Sequence, residues 1–148
     1  MSLATDSIFI AAIQSNTELM ERIGGRLYGT AIPLPDEDAD NVPVPYIIVS
    51  FDGLNNQNQT KDDMYESNYD TVNIGVEVTG ETIKDLHELT QEVRDTILNY
   101  FREHETAVND YTFSADAIQY DSLKPCYWQT LRYQCDVLNT NEENDEQD

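Results

Sequence analysis

Along the chain, apolar positions fall into a few well-separated stretches whose spacing changes between helical and strand-like. Within residues 6–23, Ile8, Phe9, Ala12, Ile13, Leu19, Met20 and Ile23 recur at helical intervals, with Thr5 placed to cap the start and Gly24-Gly25 to end the stripe. A short strand is expected at residues 26–28, and a proline-punctuated acidic loop at 32–45. Residues 46–51, Tyr-Ile-Ile-Val-Ser-Phe, form a β-branched and aromatic run of strand length that Asp52-Gly53 is expected to break. The polar connection 54–67 leads to the clearest period of two in the chain. There Val72, Ile74, Val76 and Val78 alternate with Thr71, Asn73, Gly75 and Glu77, so one face is buried and the other is wet or at an interface.

A second helix follows, with Thr82 and Asp85 at the spacing of a capping box. Its apolar stripe is Ile83, Leu86, Leu89, Val93, Ile97 and Phe101, and Lys84, Glu88, Glu92, Arg94, Asp95 and Glu103 decorate the rest. Two more strands are expected at 112–122 and 127–138. In the last, Tyr127, Leu131, Tyr133, Cys135 and Val137 share one face, and Trp128, Thr130, Arg132, Gln134 and Asp136 the other. The pattern predicts a single α+β domain over residues 1–138, with about four strands in a mainly antiparallel or mixed sheet and two amphipathic helices packed on one face. Residues 139–148 hold Glu142, Glu143, Asp145, Glu146 and Asp148 and no apolar residue, so they are expected to form an acidic disordered tail.

Length supports this division, because 148 residues suffice for one core and not comfortably for two. Charge narrows the partners. Only 8 Lys and Arg oppose 29 Asp and Glu, a net charge of −21, and the cations are scattered singly, which disfavours direct nucleic-acid binding and anionic membranes. Nothing approaches a membrane span or a signal peptide, so the expected location is the cytoplasm, where Cys126 and Cys135 remain reduced and packed as small hydrophobes.

Chemistry is hard to find. The run Asp36-Glu37-Asp38-Ala39-Asp40-Asn41 imitates the start of a calcium loop, but Asn41 stands where glycine is needed and Ile47 where the bidentate acid is needed. Neither the two cysteines nor His87 and His104 have zinc spacing, and no nucleophile elbow, phosphate loop or dinucleotide fingerprint is present. The expectation is a protein that is not an enzyme and needs no cofactor or metal. The residues with the character of contacts are aromatic and charged: Trp128 and Arg132 on the outer face of the last strand, Tyr65 and Tyr69 beside the polar connection, and the loop acids Asp36, Glu37, Asp38, Asp40, Asp62 and Asp63.

The element order, with Ile23-Gly24-Gly25-Arg26-Leu27-Tyr28 ending the first helix, Pro45-Tyr46 opening a strand and residues 72–78 running into the second helix, resembles the phage tail completion or tail terminator proteins. The likeness covers roughly residues 3–138. It implies a virion structural subunit that assembles into a ring, often of six copies, and docks on the tail tube and head connector, made in the host cytoplasm and ending in the virion tail. A negative duct would let DNA pass without adhering. The acidic stretch 139–148 is foreign to that pattern. The charge alone also supports a different reading, an acidic DNA mimic that occupies the basic groove of a nucleic-acid enzyme.

Overall fold

A computed structural model describes residues 2–29, 42–56 and 69–138 of the chain. The 3₁₀ turn Ser2–Ala4 leads into helix α1 (Thr5–Gln14), followed by α2 (Thr17–Arg22), β1 (Leu27–Gly29), β2 (Ile47–Asn55), β3 (Tyr69–Gly80), α3 (Ile83–Glu103), β4 (Val108–Ala115), β5 (Gln119–Asp121) and β6 (Cys126–Leu138). The six strands form one mixed sheet, in the order β1-β2-β3-β6-β4 with β5 also on β6. Among the described residues only β1 and β2 run parallel. Among the described residues the sheet therefore has two strands more than the sequence predicts, and three α-helices stand in place of two.

The centre of the sheet is the antiparallel pair β3–β6, in unbroken register from Tyr69 opposite Leu138 to Gly80 opposite Tyr127. One face of this pair supplies Val72, Ile74, Val76, Val78, Leu131, Tyr133, Cys135 and Val137, all buried. The helices close over that face: Phe9, Ala12 and Ile13 from α1, Leu19 from α2 and Leu86, Leu89, Val93 and Ile97 from α3 complete the core. Each fully buried aliphatic or aromatic side chain contributes about 1.5–3 kcal/mol, so the alternation in β3 fixes its register firmly. Aromatic rings fill one end, where Phe9, Phe101, Tyr111 and Phe113 surround Tyr133 or one another at centroid distances of 5.0–5.6 Å.

Four local departures have chemical causes. The single helix expected over 6–23 is broken at Asn16, whose side-chain oxygen accepts from the Leu19 amide and caps α2 while its Nδ2 donates to Thr96 Oγ1 at 2.9 Å. Asparagine prefers such a cap to a helix interior, and the bond to α3 fixes the corner. Thr5 is not the cap of α1. It lies inside the helix, buried, and donates to the Ser2 carbonyl at 2.6 Å. Gly24 and Gly25 end α2 as expected, with φ of 62° and 73°, and the Gly25 amide closes the turn on the Met20 carbonyl.

Asp52-Gly53 does not end β2; it bulges it. Phe51 faces Ile74 and Gly53 faces Asn73, leaving Asp52 as the extra residue, and Leu54 regains the core side opposite Val72. Likewise the strand expected over 112–122 is two strands, β4 and β5, interrupted at residues 116–118, where the ladder against β6 gains one residue. Thr82 caps α3 as predicted, accepting from the Asp85 amide at 3.0 Å. Gly80 lets the first turn of α3 lie against β3, because a Cβ there would fall 2.9 Å from the Leu86 nitrogen.

Candidate docking face

Among the described residues, no helix lies over the second face of the sheet. Its central rows come from the positions that alternate with the core: Thr71, Asn73, Gly75, Glu77 and Thr79 on β3, opposite Asp136, Gln134, Arg132, Thr130 and Trp128 on β6. Polar side chains dominate the middle, and Asp52, Asn73, Thr112, Ser114, Arg132 and Gln134 line a half-open cleft of about 410 Å³ there.

Arg132 organises this cleft. Its Nε lies 2.9 and 3.0 Å from the two Asp116 oxygens and Nη2 lies 2.8 Å from Oδ2, a forked pair of the kind that gives arginine its geometric specificity. On the other side Nη1 is 3.9 Å from Asp52 Oδ2. Both carboxylates arrive from irregularities in the ladders: Asp52 is the extra residue of the β2 bulge, and Asp116 begins the interruption between β4 and β5. Bulges re-aim side chains in this way. Asp52 reaches Arg132 over β3 only because position 75 is glycine, since a Cβ there would stand 2.5 Å from Asp52 Oδ2 and 2.9 Å from Ser50 Oγ. Ser50 in turn donates to Asp52 Oδ1 at 2.8 Å.

The hydrogen bond from Arg132 holds the Asp116 carboxyl below its ordinary range, and the same bond raises the guanidinium. Asp116 is well solvated, so this pair sets geometry more than stability.

Toward the other end of the face the surroundings become less polar. Glu77 lies opposite Thr130 and Ile48, and burial raises its carboxyl above the usual value. Tyr46 is pushed up to about 12, by burial first and then by Glu77. The Lys124 ammonium lies over the Tyr46 ring at 5.1 Å and donates to the Val42 carbonyl. At the β5–β6 turn Asp121 Oδ1 accepts from the Leu123 and Lys124 amides, and Leu123 projects with 96% of its surface exposed.

Of the residues singled out from sequence, Trp128 and Arg132 are on this outer face as expected. Arg132 does not stack on Trp128; four residues along a strand separate them by about 13 Å, and its charge is turned to Asp116. Trp128 is half-buried between Thr79 and Gln119 in the register. Tyr69 opens β3 and is 46% exposed. Tyr65, Asp36, Glu37, Asp38, Asp40, Asp62, Asp63 and residues 139–148 lie outside the described residues. Sequence reasoning missed Asp52, Asp116 and Gly75. The signal for the first was present, because Asp-Gly inside a β-branched run is as compatible with a bulge as with a stop.

Among the described residues no cluster of three or more His, Cys, Asp or Glu is arranged to hold a metal ion, and no helix is long and apolar enough to cross a membrane. Burial raises both thiols, Cys135 to about 12.

The architecture is an α+β domain with one sheet face under helices and, among the described residues, no helix over the other. No protein-family model matches the chain, and no curated protein matches it in sequence. Among solved structures, its fold is similar to that of a chain in the virion of a native gene transfer agent particle. The TM-score is 0.59 at 11% identity, and the alignment covers 90% of this chain and 94% of that one. At that identity the likeness is one of fold.

Proposed function

We propose that this chain is a structural subunit of a phage-like virion, a tail completion or terminator protein that works by ring assembly and docking at the end of the tail tube. The observation that carries the reading is the fold likeness to a chain of a virion particle, which runs through nearly the full length of both chains. The second sheet face adds support, because among the described residues helices lie on one side of the strands only, which leaves a broad surface for neighbouring subunits. On this reading the partners are other copies, the tail tube and the head connector. The protein acts by contact and catalyses no reaction. It is made in the host cytoplasm and ends in the virion tail.

The charge of −21 makes association of copies depend on salt. Repulsion between subunits weakens as the Debye length shrinks from about 10 Å at 0.1 M to about 3 Å at 1 M salt. Light scattering over that series, at high protein concentration, is expected to show association growing with salt. A strict monomer throughout would overturn the ring-forming part of the proposal.

A further inference from the structure

The cleft around Arg132 has hydrogen-bonding capacity that its own walls do not use. Two rows of residues cross it: Thr112, Gln134 and Asn73 lie abreast on β4, β6 and β3, and Ser114, Arg132 and Gly75 lie abreast one step along. Gly75 leaves a notch in the second row, and the Asp52 carboxylate fills it from the β2 bulge. Among the described residues the side chains of Asn73, Thr112, Ser114 and Gln134 make no hydrogen bond, and each of them can both donate and accept.

One donor and one acceptor in this cleft are held in place. Arg132 donates from Nε and Nη2 to the Asp116 carboxylate, which leaves Nη1 on the Asp52 side. Ser50 donates to Asp52 Oδ1, which leaves Oδ2. Nη1 and Oδ2 stand 3.9 Å apart, too far to bond to each other. A fixed N–H beside a fixed carboxylate oxygen is complementary to a group that presents an acceptor beside a donor. A primary carboxamide does so, with its oxygen and nitrogen about 2.3 Å apart. Bonds of about 2.9 Å from those two atoms to Nη1 and Oδ2 splay by only roughly 15° each. A trans peptide group points its C=O and N–H in opposite directions and cannot make both. A carboxylate would set an oxygen against Asp52, and an ammonium would meet the Arg132 cation, so either leaves one of the two groups unanswered.

We infer that the cleft binds the side-chain carboxamide of a glutamine or asparagine on a partner protein, with Arg132 Nη1 donating to its oxygen and Asp52 Oδ2 accepting from its nitrogen. The volume of about 410 Å³ holds such a side chain, and the surrounding amides and hydroxyls offer partners to its flanking peptide groups. Asp116 and Ser50 are positioning residues, because they fix which atoms of Arg132 and Asp52 remain for the ligand. Gly75 belongs to the site as well, since a Cβ there would stand 2.5 Å from Asp52 Oδ2. This inference does not rest on the virion reading.

Three tripeptides, acetyl-Gly-Xaa-Gly-N-methylamide with glutamine, glutamate or lysine in the middle, test it by titration into the full ¹⁵N-labelled chain. Their blocked ends carry no primary carboxamide. The glutamine peptide is expected to give saturable shifts of the Arg132 Nε–H, the Asn73 and Gln134 side-chain amides and the Gly75 backbone amide, and to bind about tenfold more tightly than either charged peptide. Its affinity should change little between about 0.1 and 1 M salt, because the occupant is neutral. Asp52→Asn should abolish the preference over the glutamate peptide, since Arg132 Nη1 and an amide N–H can then both donate to a carboxylate. Asp116→Asn, which loosens Arg132, should weaken the glutamine peptide several-fold. Equal binding of the three peptides, tighter binding of a charged one, no saturable shift at the cleft, or a glutamine-over-glutamate preference that survives Asp52→Asn would overturn the assignment.

Discussion

Gly75 and Gly80 lie five residues apart on β3, and replacing each by alanine separates a flexible obstruction from a rigid one. At Gly75 the new Cβ meets Asp52 Oδ2 at 2.5 Å and Ser50 Oγ at 2.9 Å, the ends of two short side chains that can swing away. The losses are the Ser50–Asp52 bond, about 0.5–1.5 kcal/mol, and the 3.9 Å Asp52–Arg132 approach, worth less than about 1 kcal/mol at the surface. Removing a glycine from a strand interior returns about 0.5–1 kcal/mol. Gly75→Ala should therefore cost about 1 kcal/mol and no more than about 2, a central melting shift of about 2–4 °C. At Gly80 the new Cβ meets backbone, Leu86 N at 2.9 Å and Leu86 Cα at 3.0 Å, and α3 must lift from the sheet. Overpacking of that kind costs about 1–3 kcal/mol, or roughly 2–12 °C. Thermal and urea melts of the two variants give the comparison. Repeating Gly75→Ala in an Asp52→Ala background sharpens it, because with the carboxylate gone the substitution should become mildly stabilising. If Gly75→Ala costs as much as Gly80→Ala, or has the same effect with and without Asp52, the account of the cleft is wrong.

Other consequences can be checked on the same material. Thr82→Ala removes the α3 cap and should lower stability by about 1 kcal/mol, read as a urea midpoint shift with unchanged slope, whereas Thr82→Ser should cost little. Glu77→Gln should raise the melting temperature at neutral pH. Burial raises the native carboxyl above its unfolded value, so the native state is penalised where Glu77 is ionised; the gain must vanish as pH falls below the ordinary value of 4.5, and a gain that persists at pH 3 would contradict this. Both buried thiols should resist a thiol-specific reagent at pH 8 in the native state and react at the rate of unfolding; Cys135, raised to about 12, is ionised in about one molecule in 10⁴ at that pH, and burial raises Cys126 in the same direction.

The parts of the fold legible in the sequence were those in which one physical signal dominated. The strict alternation from Val72 to Val78 marked β3 and its buried face, and the stripe from Leu86 to Ile97 marked α3 with its Thr82 cap. Both patterns are long and are enforced by burial. The misread places involved competition between local options. Asn16 could continue a helical stripe or cap a new helix, and only its bond to Thr96, 80 residues away, decides the matter. Asp52-Gly53 and residues 116–118 carry turn-forming chemistry, yet the ladders continue past both because Leu54 and the β5 residues still find partners. The site inherited this ambiguity. Arg132 was visible as a lone cation on a polar strand face, while its partners lay at irregularities whose presence depends on pairing with distant strands.

The extra residue in β2 has a consequence for how this chain tolerates change in length. Ile47, Val49 and Phe51 count in odd steps, and Leu54 resumes the inward count only because Asp52 has been skipped. Deleting that one aspartate would carry Phe51, Gly53 and Leu54 through in plain alternation, with Leu54 still inward opposite Val72, so the strand can be shortened here without losing its frame. What shortening removes is the carboxylate that the bulge aims at Arg132.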